Sequence, residues 1–219
     1  MKLTYRVEDG ARLGALLWEF GPGWRMISSA PLGGGIGERE WVLNAQVVAG
    51  YARMDPADHL SSLGPSHRAG VGMMTAASVD RYVRATDGGV RAWATVGLRV
   101  PTWAAAPEGH QDPELAPIRI GTINIVVALP VAMTDAALVN TVMTVTEAKT
   151  QAMLEAGFAG TGTASDAVCV AARADGPQEL FGGPRSGWGA RAARAVHTAV
   201  LRGAEAWRDH HSRSTFLGK

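Results

Sequence analysis

With 219 residues, 47% of them hydrophobic and 19% charged, the chain is long enough to bury a core and too apolar to be disordered. Twenty-one basic against 20 acidic residues leave a net charge of +1, which supplies no general attraction to nucleic acid. The single cysteine, Cys169, excludes an internal disulfide and a thiolate metal cluster. Charge is uneven along the chain. Residues 185–219 hold seven Lys/Arg against two Asp/Glu, net +5, so the remainder is −4; this basic end suits an anion or a solvated helix face. The first residues, MKLTYRV, lack a signal-peptide core, and no apolar run approaches the roughly 20 residues of a membrane helix. A cytoplasmic location is the default expectation.

In chain order, residues 16–20 and 25–29 are weak strand candidates. The second runs into a glycine-rich loop, residues 27–37, containing Ser28, Ser29, Gly34 and Gly35. Residues 41–47 alternate as a strand, with Trp41, Leu43, Ala45 and Val47 on one face and Val42, Asn44 and Gln46 on the other. Asp55 and Pro56 open a short helix through residue 63, Asp55 as cap. Residues 90–98 read as a strand after the Asp87-Gly88-Gly89 turn, and pair in a hairpin with the segment around 73–83. The stretch 101–117, with four prolines and Trp103, predicts a lid or binding loop. Residues 122–129 form the strongest strand, nearly continuous in Ile and Val and therefore central. A helix spans 135–156, capped by Thr134 and stopped by Gly157, with an apolar stripe of Leu138, Val142, Val145, Ala152 and Ala156. Asn140, Thr144, Glu147 and Gln151 lie opposite, and Lys149 falls within the apolar stripe. Asp166 opens an apolar strand in which Cys169 reads as a buried, inert thiol. A last helix covers 187–210, capped by Ser186, with Trp188, Ala192, Ala195, Val196, Ala199, Gly203 and Trp207 buried. No repeat or domain boundary interrupts the chain. Strands early and helices late predict one α+β domain over 1–219: mixed or mostly antiparallel sheets with two long helices from the C-terminal half packed on them.

Common catalytic signatures are missing. The GGGIG at 33–37 has neither dinucleotide nor phosphate-loop spacing, and there is no His-Glu-x-x-His or Gly-x-Ser-x-Gly. The informative region is 146–168, where Glu147, Lys149, Thr161, Thr163 and Asp166 crowd around one glycine-rich turn. Lys149 either snorkels to water or pairs with Asp166 or Glu147. Asn44, Asn124 and Thr122 sit on apolar strands. Each buried amide needs a partner, since an unpaired one costs about 1–3 kcal/mol; protein groups and amide-bearing ligands both qualify. Arg185, just before a helix N-terminus, suits an anion, a ligand carbonyl or a simple cap. Trp103 is placed to cover a flat ligand or to pack.

Six segments, ISSAPLGGG (27–35), VGMMTAA (71–77), GTINI (121–125), TEAKTQ (146–151), GTGTASD (160–166) and GPRSGWGA (183–190), resemble in order those of the adenosylcobinamide amidohydrolase family. Ser165 stands where Thr is expected, which keeps the hydroxyl. The resemblance spans about residues 27–207. It implies hydrolysis of the amide joining the corrin propionyl side chain to aminopropanol, giving adenosylcobyric acid and 1-amino-2-propanol in cobalamin salvage. It carries no assigned catalytic residues. The residues fit such a substrate: Asn, Gln, Thr and backbone amides match a carboxamide fringe, and Trp matches a flat ring. Asp166, Glu147, Lys149 and Thr163 are the expected catalytic set, with Asp166 or Glu147 activating water, Lys149 tuning it or protonating the amine, and Thr161, Thr163 and loop N–H groups holding the oxyanion. Ser28, Ser29, Gly34, Gly35, Asn44, Thr122, Asn124, Thr161, Arg185 and Trp103 are expected to bind substrate. A covalent route through Thr122, Thr163 or Ser165 stays open, including self-cleavage at Gly121–Thr122. The expected partner is a small corrinoid, with no nucleic acid or membrane and with self-association open. No cofactor is expected; a divalent metal stays open because no ligand spacing argues for one. The alternatives are a non-catalytic corrinoid-binding or trafficking protein and an amidohydrolase for another amide.

Overall fold

The computed structural model describes residues 1–110 and 121–216, with side chains through residue 212. In chain order its elements are β1 (Lys2–Glu8), β2 (Ala11–Glu19), β3 (Trp24–Ser28), β4 (Gly35–Glu38), β5 (Trp41–Gln46), α1 (Pro56–Leu63), β6 (Gly70–Thr75), β7 (Val83–Asp87), β8 (Val90–Val96), β9 (Ile123–Met133), α2 (Asp135–Glu155), β10 (Ala167–Arg173), β11 (Gln178–Glu179) and α3 (Gly187–Phe216). The class is the expected α+β.

Strand alternation sets the layers. Along β9, Ile123, Ile125, Val127 and Leu129 bury on one face, while Val126 and Ala128 bury on the other. Neighbouring β10 repeats this with Val168, Val170 and Ala172 against Ala167, Cys169 and Ala171. A strand apolar on both faces must be covered twice. One face of the large sheet, ordered β4-β3-β10-β9-β8-β7, carries α2 and α3. The other face packs on a small sheet, β1-β2-β5-β6, through Leu16, Trp18, Val42, Val71 and Met73. The outer face of the small sheet carries α1, with Leu60 against Trp41, Leu43 and Ala45. Parallel β9 and β10 are joined across α2, as a crossover requires.

The helices start where the sequence predicts, and α2 also stops where it predicts. Thr134 Oγ1 accepts from Ala137 N–H at 3.2 Å, and Gly157 adopts φ +83°, which suits only glycine, just after the last turn of α2. Ser186 Oγ accepts from Gly189 N–H at 3.1 Å at the start of α3, which continues beyond residue 210 to Phe216. Asp55 precedes α1 but does not cap it by side chain; its carboxylate takes the Arg53 guanidinium at 2.6 and 2.9 Å. Thr144, expected on the wet face of α2, is buried because the 180–183 segment crosses it, and its hydroxyl donates to Gly182 C=O at 2.9 Å.

The hairpin differs from the expectation. Residues 73–82 do not pair with β8; the hairpin partner begins at Val83. The segment around 73–83 divides between β6, parallel to β5 in the small sheet, and β7, which pairs with β8 across the Asp87-Gly88-Gly89 turn. The Thr75 hydroxyl takes Ala77 N–H at 3.0 Å and ends β6 there. Strand β1 is polar and mostly exposed at a sheet edge, so it carries no core pattern to read.

Candidate active site

At one end of the sandwich β3, β5, β6 and β8 finish and β9 and β10 begin. A cleft of about 400 Å³ opens there between the sheets. Ser29, Thr122, Ser165 and Asp166 line its large-sheet side, and Pro31, Val47, Val48, Tyr51, Met74 and Thr75 line the rest.

Asp166, just before β10, is the anchor of this wall. Its Oδ1 accepts from Ile123 N–H at 2.8 Å and from the Thr163 hydroxyl at 2.5 Å. Its Oδ2 accepts from Lys149 Nζ at 2.5 Å and from Thr163 N–H at 3.1 Å. A carboxylate offers about four lone-pair sites, and four donors fill them. Lys149 does not snorkel; it is 6% exposed and ends on Asp166. The turn packs closely on the pair: a Cβ on Gly162 would stand 2.5 Å from both Asp166 Oδ2 and Lys149 Nζ, so a side chain there would displace them. Beside this anchor the Thr122 and Ser165 hydroxyls share a 2.8 Å hydrogen bond.

Other expected site residues are spent inside the protein. Asn124 donates to Asn44 Oδ1 at 2.8 Å and Met74 C=O at 2.7 Å, and its Oδ1 takes Ala167 N–H at 3.2 Å. Asn44 donates to Thr95 Oγ1 at 3.0 Å. Both amides are buried and stitch the sheets together behind the cleft. Ser28 donates to Val168 C=O at 2.9 Å, and Ser29 Oγ accepts from Val168 N–H at 3.1 Å; of the two, Ser29 reaches the cleft. Thr161 Oγ1 accepts from Ala104 N–H at 2.8 Å, which pins residues 102–104 to the 160–163 turn. Trp103 in that segment is 52% exposed and does not line the cleft, and neither do Gly34 and Gly35. Residues 111–117 of the proline-rich stretch lie outside the described residues.

Glu147 and Arg185 lie elsewhere. They line a cleft of about 500 Å³ between α2 and α3, with Gln151, Arg194 and His197. Two positions along a helix turn about 200°, so Glu147 points away from Lys149. It does not share a cavity with Asp166; of the four residues expected to be catalytic, the structure brings Asp166, Lys149 and Thr163 together and leaves Glu147 apart. In that second cleft Arg194 pairs with Asp87 at 2.6 Å and His197 with Glu155 at 2.7 Å. Cys169 lies between the sheets, fully buried, and burial pushes its thiol up to about 12.

The sequence reading missed Glu8, His59 and Tyr51. His59 on α1 is buried; its Nε2 lies 2.9 Å from Glu8 Oε1 and its Nδ1 lies 3.1 Å from the Tyr51 hydroxyl. Burial pushes the Glu8 carboxyl up, but hydrogen bonds and charge from Arg6 and His59 outweigh it and hold it below the ordinary range. Burial raises the Tyr51 phenol. Four strands, β2 to β5, separate Glu8 from Tyr51 and His59 along the chain, and only the helical position of His59 beside buried Leu60 hints at its burial. Among the described residues no three His, Cys, Asp or Glu side chains gather to hold a metal, and no helix is long and apolar enough to cross a membrane.

Comparison with known proteins agrees with the six segments. The adenosylcobinamide amidohydrolase family profile matches residues 2–212. An adenosylcobinamide amidohydrolase of Halobacterium salinarum is 34% identical over 163 residues, 74% of this chain and 64% of that protein, so the match spans less than two thirds of that relative's length. Another protein of that name, from Methanosarcina mazei, is 27% identical over 189 residues, 81% of this chain and 87% of that protein. The chain belongs to the adenosylcobinamide amidohydrolase family.

Proposed function

We propose that the chain hydrolyses the amide linking aminopropanol to the propionyl side chain of adenosylcobinamide, releasing adenosylcobyric acid and 1-amino-2-propanol. The observation that carries this reading is the two-sided cleft at the sandwich end, with hydroxyls and Asp166 on one wall and Val47, Val48, Met74 and Tyr51 on the other. At about 400 Å³ it is too small to enclose a substituted corrin ring, but it admits one amide-bearing arm while the ring rests across the mouth. A second depression of about 310 Å³ adjoins it at Ala49 and Ala76, which extends the surface available to the ring.

Amide hydrolysis needs a proton acceptor for water, donors for the developing oxyanion and an acid for the departing amine. In this reading the Thr122–Ser165 hydroxyl pair supplies one O–H donor to the scissile carbonyl from exposed Ser165, the Thr122 O–H donating to Ser165. Asp166, Lys149 and Thr163 hold that wall in place, since the carboxylate's acceptor sites are already filled. Incubation of the purified chain with adenosylcobinamide tests the assignment. The expected result is free 1-amino-2-propanol in step with a corrinoid acid. Tight corrinoid binding with no amine released would support a binding or trafficking role. Release only from a different amide in a panel of truncated corrinoids would move the substrate.

A further inference from the structure

Opposite the hydroxyl wall, the Tyr51 side chain lines the cleft and leads into the protein. Its hydroxyl meets His59 Nδ1 at 3.1 Å, and His59 Nε2 meets Glu8 Oε1 at 2.9 Å. Arg6 Nε holds the other Glu8 oxygen at 2.6 Å, and Arg6 Nη2 donates to Gln46 C=O at 2.8 Å. An ionised carboxylate only accepts, so His59 carries its proton on Nε2. In the neutral imidazole Nδ1 presents a lone pair, to which the Tyr51 hydroxyl donates. The phenolic oxygen keeps acceptor capacity of its own. The order of groups is phenol, neutral imidazole, carboxylate, with a guanidinium fixing the last. An imidazole oriented by a carboxylate is the arrangement that serves as a general base in hydrolases. The opposite wall lacks such a group, because Asp166 already accepts four hydrogen bonds.

We propose that Tyr51, His59 and Glu8 form the proton relay of this cleft, with Tyr51 touching the reacting atoms and His59 and Glu8 positioned behind it. The proposal rests on the reading that the cleft hydrolyses an amide. As the water oxygen bonds to the carbonyl carbon, its proton passes to the Tyr51 oxygen while the Tyr51 proton passes to His59 Nδ1. The resulting imidazolium is held by the Glu8 carboxylate. When the C–N bond breaks, the electron pair leaves with nitrogen. The proton returns from His59 through Tyr51 to that nitrogen, so the relay ends as it began and one water has been consumed.

The test compares full-length wild type with Tyr51→Phe, His59→Gln, Glu8→Gln and the Tyr51→Phe/His59→Gln double variant, following amine release and thermal melting. Gln at 59 can still accept from Tyr51 and donate to Glu8, so it preserves a structural role but cannot take a proton. The relay predicts that Tyr51→Phe and His59→Gln each lower kcat at least ~100-fold. KM should stay within about threefold and melting within a few degrees, and the double variant should be no slower than the slower single. Glu8→Gln should lower kcat about tenfold or more, because the imidazolium loses its counter-charge. A folded Tyr51→Phe or His59→Gln with kcat within about threefold of wild type overturns the relay, as do fully additive losses. If His59→Gln does not fold, Tyr51→Phe alone decides. Wild type that releases no amine from any corrinoid rejects the amidohydrolase reading itself, and the relay with it. Active wild type beside active variants rejects the relay alone.

Discussion

The two clefts flanking α2 hold their charges in different ways. At the strand-end cleft Asp166 lines the wall with Lys149 behind it, their side chains 11% and 8% exposed, and the pair is closed by two backbone amides and a hydroxyl. In the inter-helix cleft Glu147, Arg185 and Arg194 are exposed and His197 is half-buried. The first arrangement is rigid because water cannot substitute for a lost partner; the second is a solvated surface where it can. Size alone would favour the inter-helix cleft, the larger of the two at about 500 Å³. Convergence of buried polar groups at strand ends is the better guide to chemistry.

The contrast is broken most directly at Asp166. Asp166→Asn keeps the shape but turns a donor toward donors and leaves the Lys149 ammonium buried without a counter-charge. The expected loss is about 3–5 kcal/mol in chemical denaturation. Adding Lys149→Met removes the stranded charge and should restore part of it. A loss below about 1 kcal/mol would place this pair with exposed ones and erase the distinction between the clefts. Next in size is Ser165→Ala. Ser165 is exposed at the cleft, so folding should be little changed. Removal of one oxyanion donor should lower kcat about 100-fold. Unchanged turnover would take this hydroxyl out of the reaction.

Asn124→Leu tests the wall behind the cleft. It leaves Met74 C=O, Ala167 N–H and Asn44 Oδ1 without their partner. Unpaired buried groups cost about 1–3 kcal/mol each, partly relieved by rearrangement, so a net loss of about 2 kcal/mol is expected from the denaturation midpoint. A neutral result would mean that the sheets do not depend on this network.

These contacts also show which parts of the molecule its sequence makes legible. The course of α2 is legible because cap, stripe and stop fall within one continuous run from Thr134 to Gly157. Strand β9 is legible because burial on both faces leaves a nearly unbroken apolar run. The Lys149–Asp166 pair was within reach, as an ammonium on an apolar stripe must meet an acceptor or escape to water. Glu147 and Lys149 are neighbours along α2 but project to opposite sides, so the turn at 160–163 meets Lys149 alone. Asn44 and Asn124 were singled out correctly as buried amides, but their partners depend on sheet stacking across 80 residues. The chain from Glu8 to His59 to Tyr51 depends on where α1 docks against the edge of the small sheet, and no local pattern encodes that.

Acid titration sharpens the comparison with a smaller effect. The Arg194 hydrogen bonds and charge hold the Asp87 carboxyl below its ordinary 3.8. Hydrogen bonds from Gln151 and then His197 hold Glu155 below 4.5. A carboxyl lowered on folding stabilises the fold above its unfolded pKa, and the contribution is lost as pH falls through the lower folded value. Melting temperature should therefore drop as pH falls below about 4.5. The share owed to Asp87 and Glu155 should shrink in high salt, because both pairs face solvent. A drop that salt leaves untouched would locate the acid-sensitive carboxyls in the interior, beginning with Glu8, whose folded value is also lowered.

Glu147→Gln should do the least. Glu147 is exposed on α2, its charge is not held by a buried partner, and it faces the inter-helix cleft. Stability should change by no more than about 0.5 kcal/mol, and amine release should stay within about twofold of wild type. The small expected effect makes this variant decisive between the clefts. The residues best placed to be catalytic by sequence alone included Glu147, and only the direction of its side chain removes it. If Glu147→Gln abolishes turnover while the protein stays folded, the chemistry belongs between α2 and α3. Arg185 and His197 would then be its nearest candidates, and Thr122, Ser165 and Tyr51 would line a cleft with some other use.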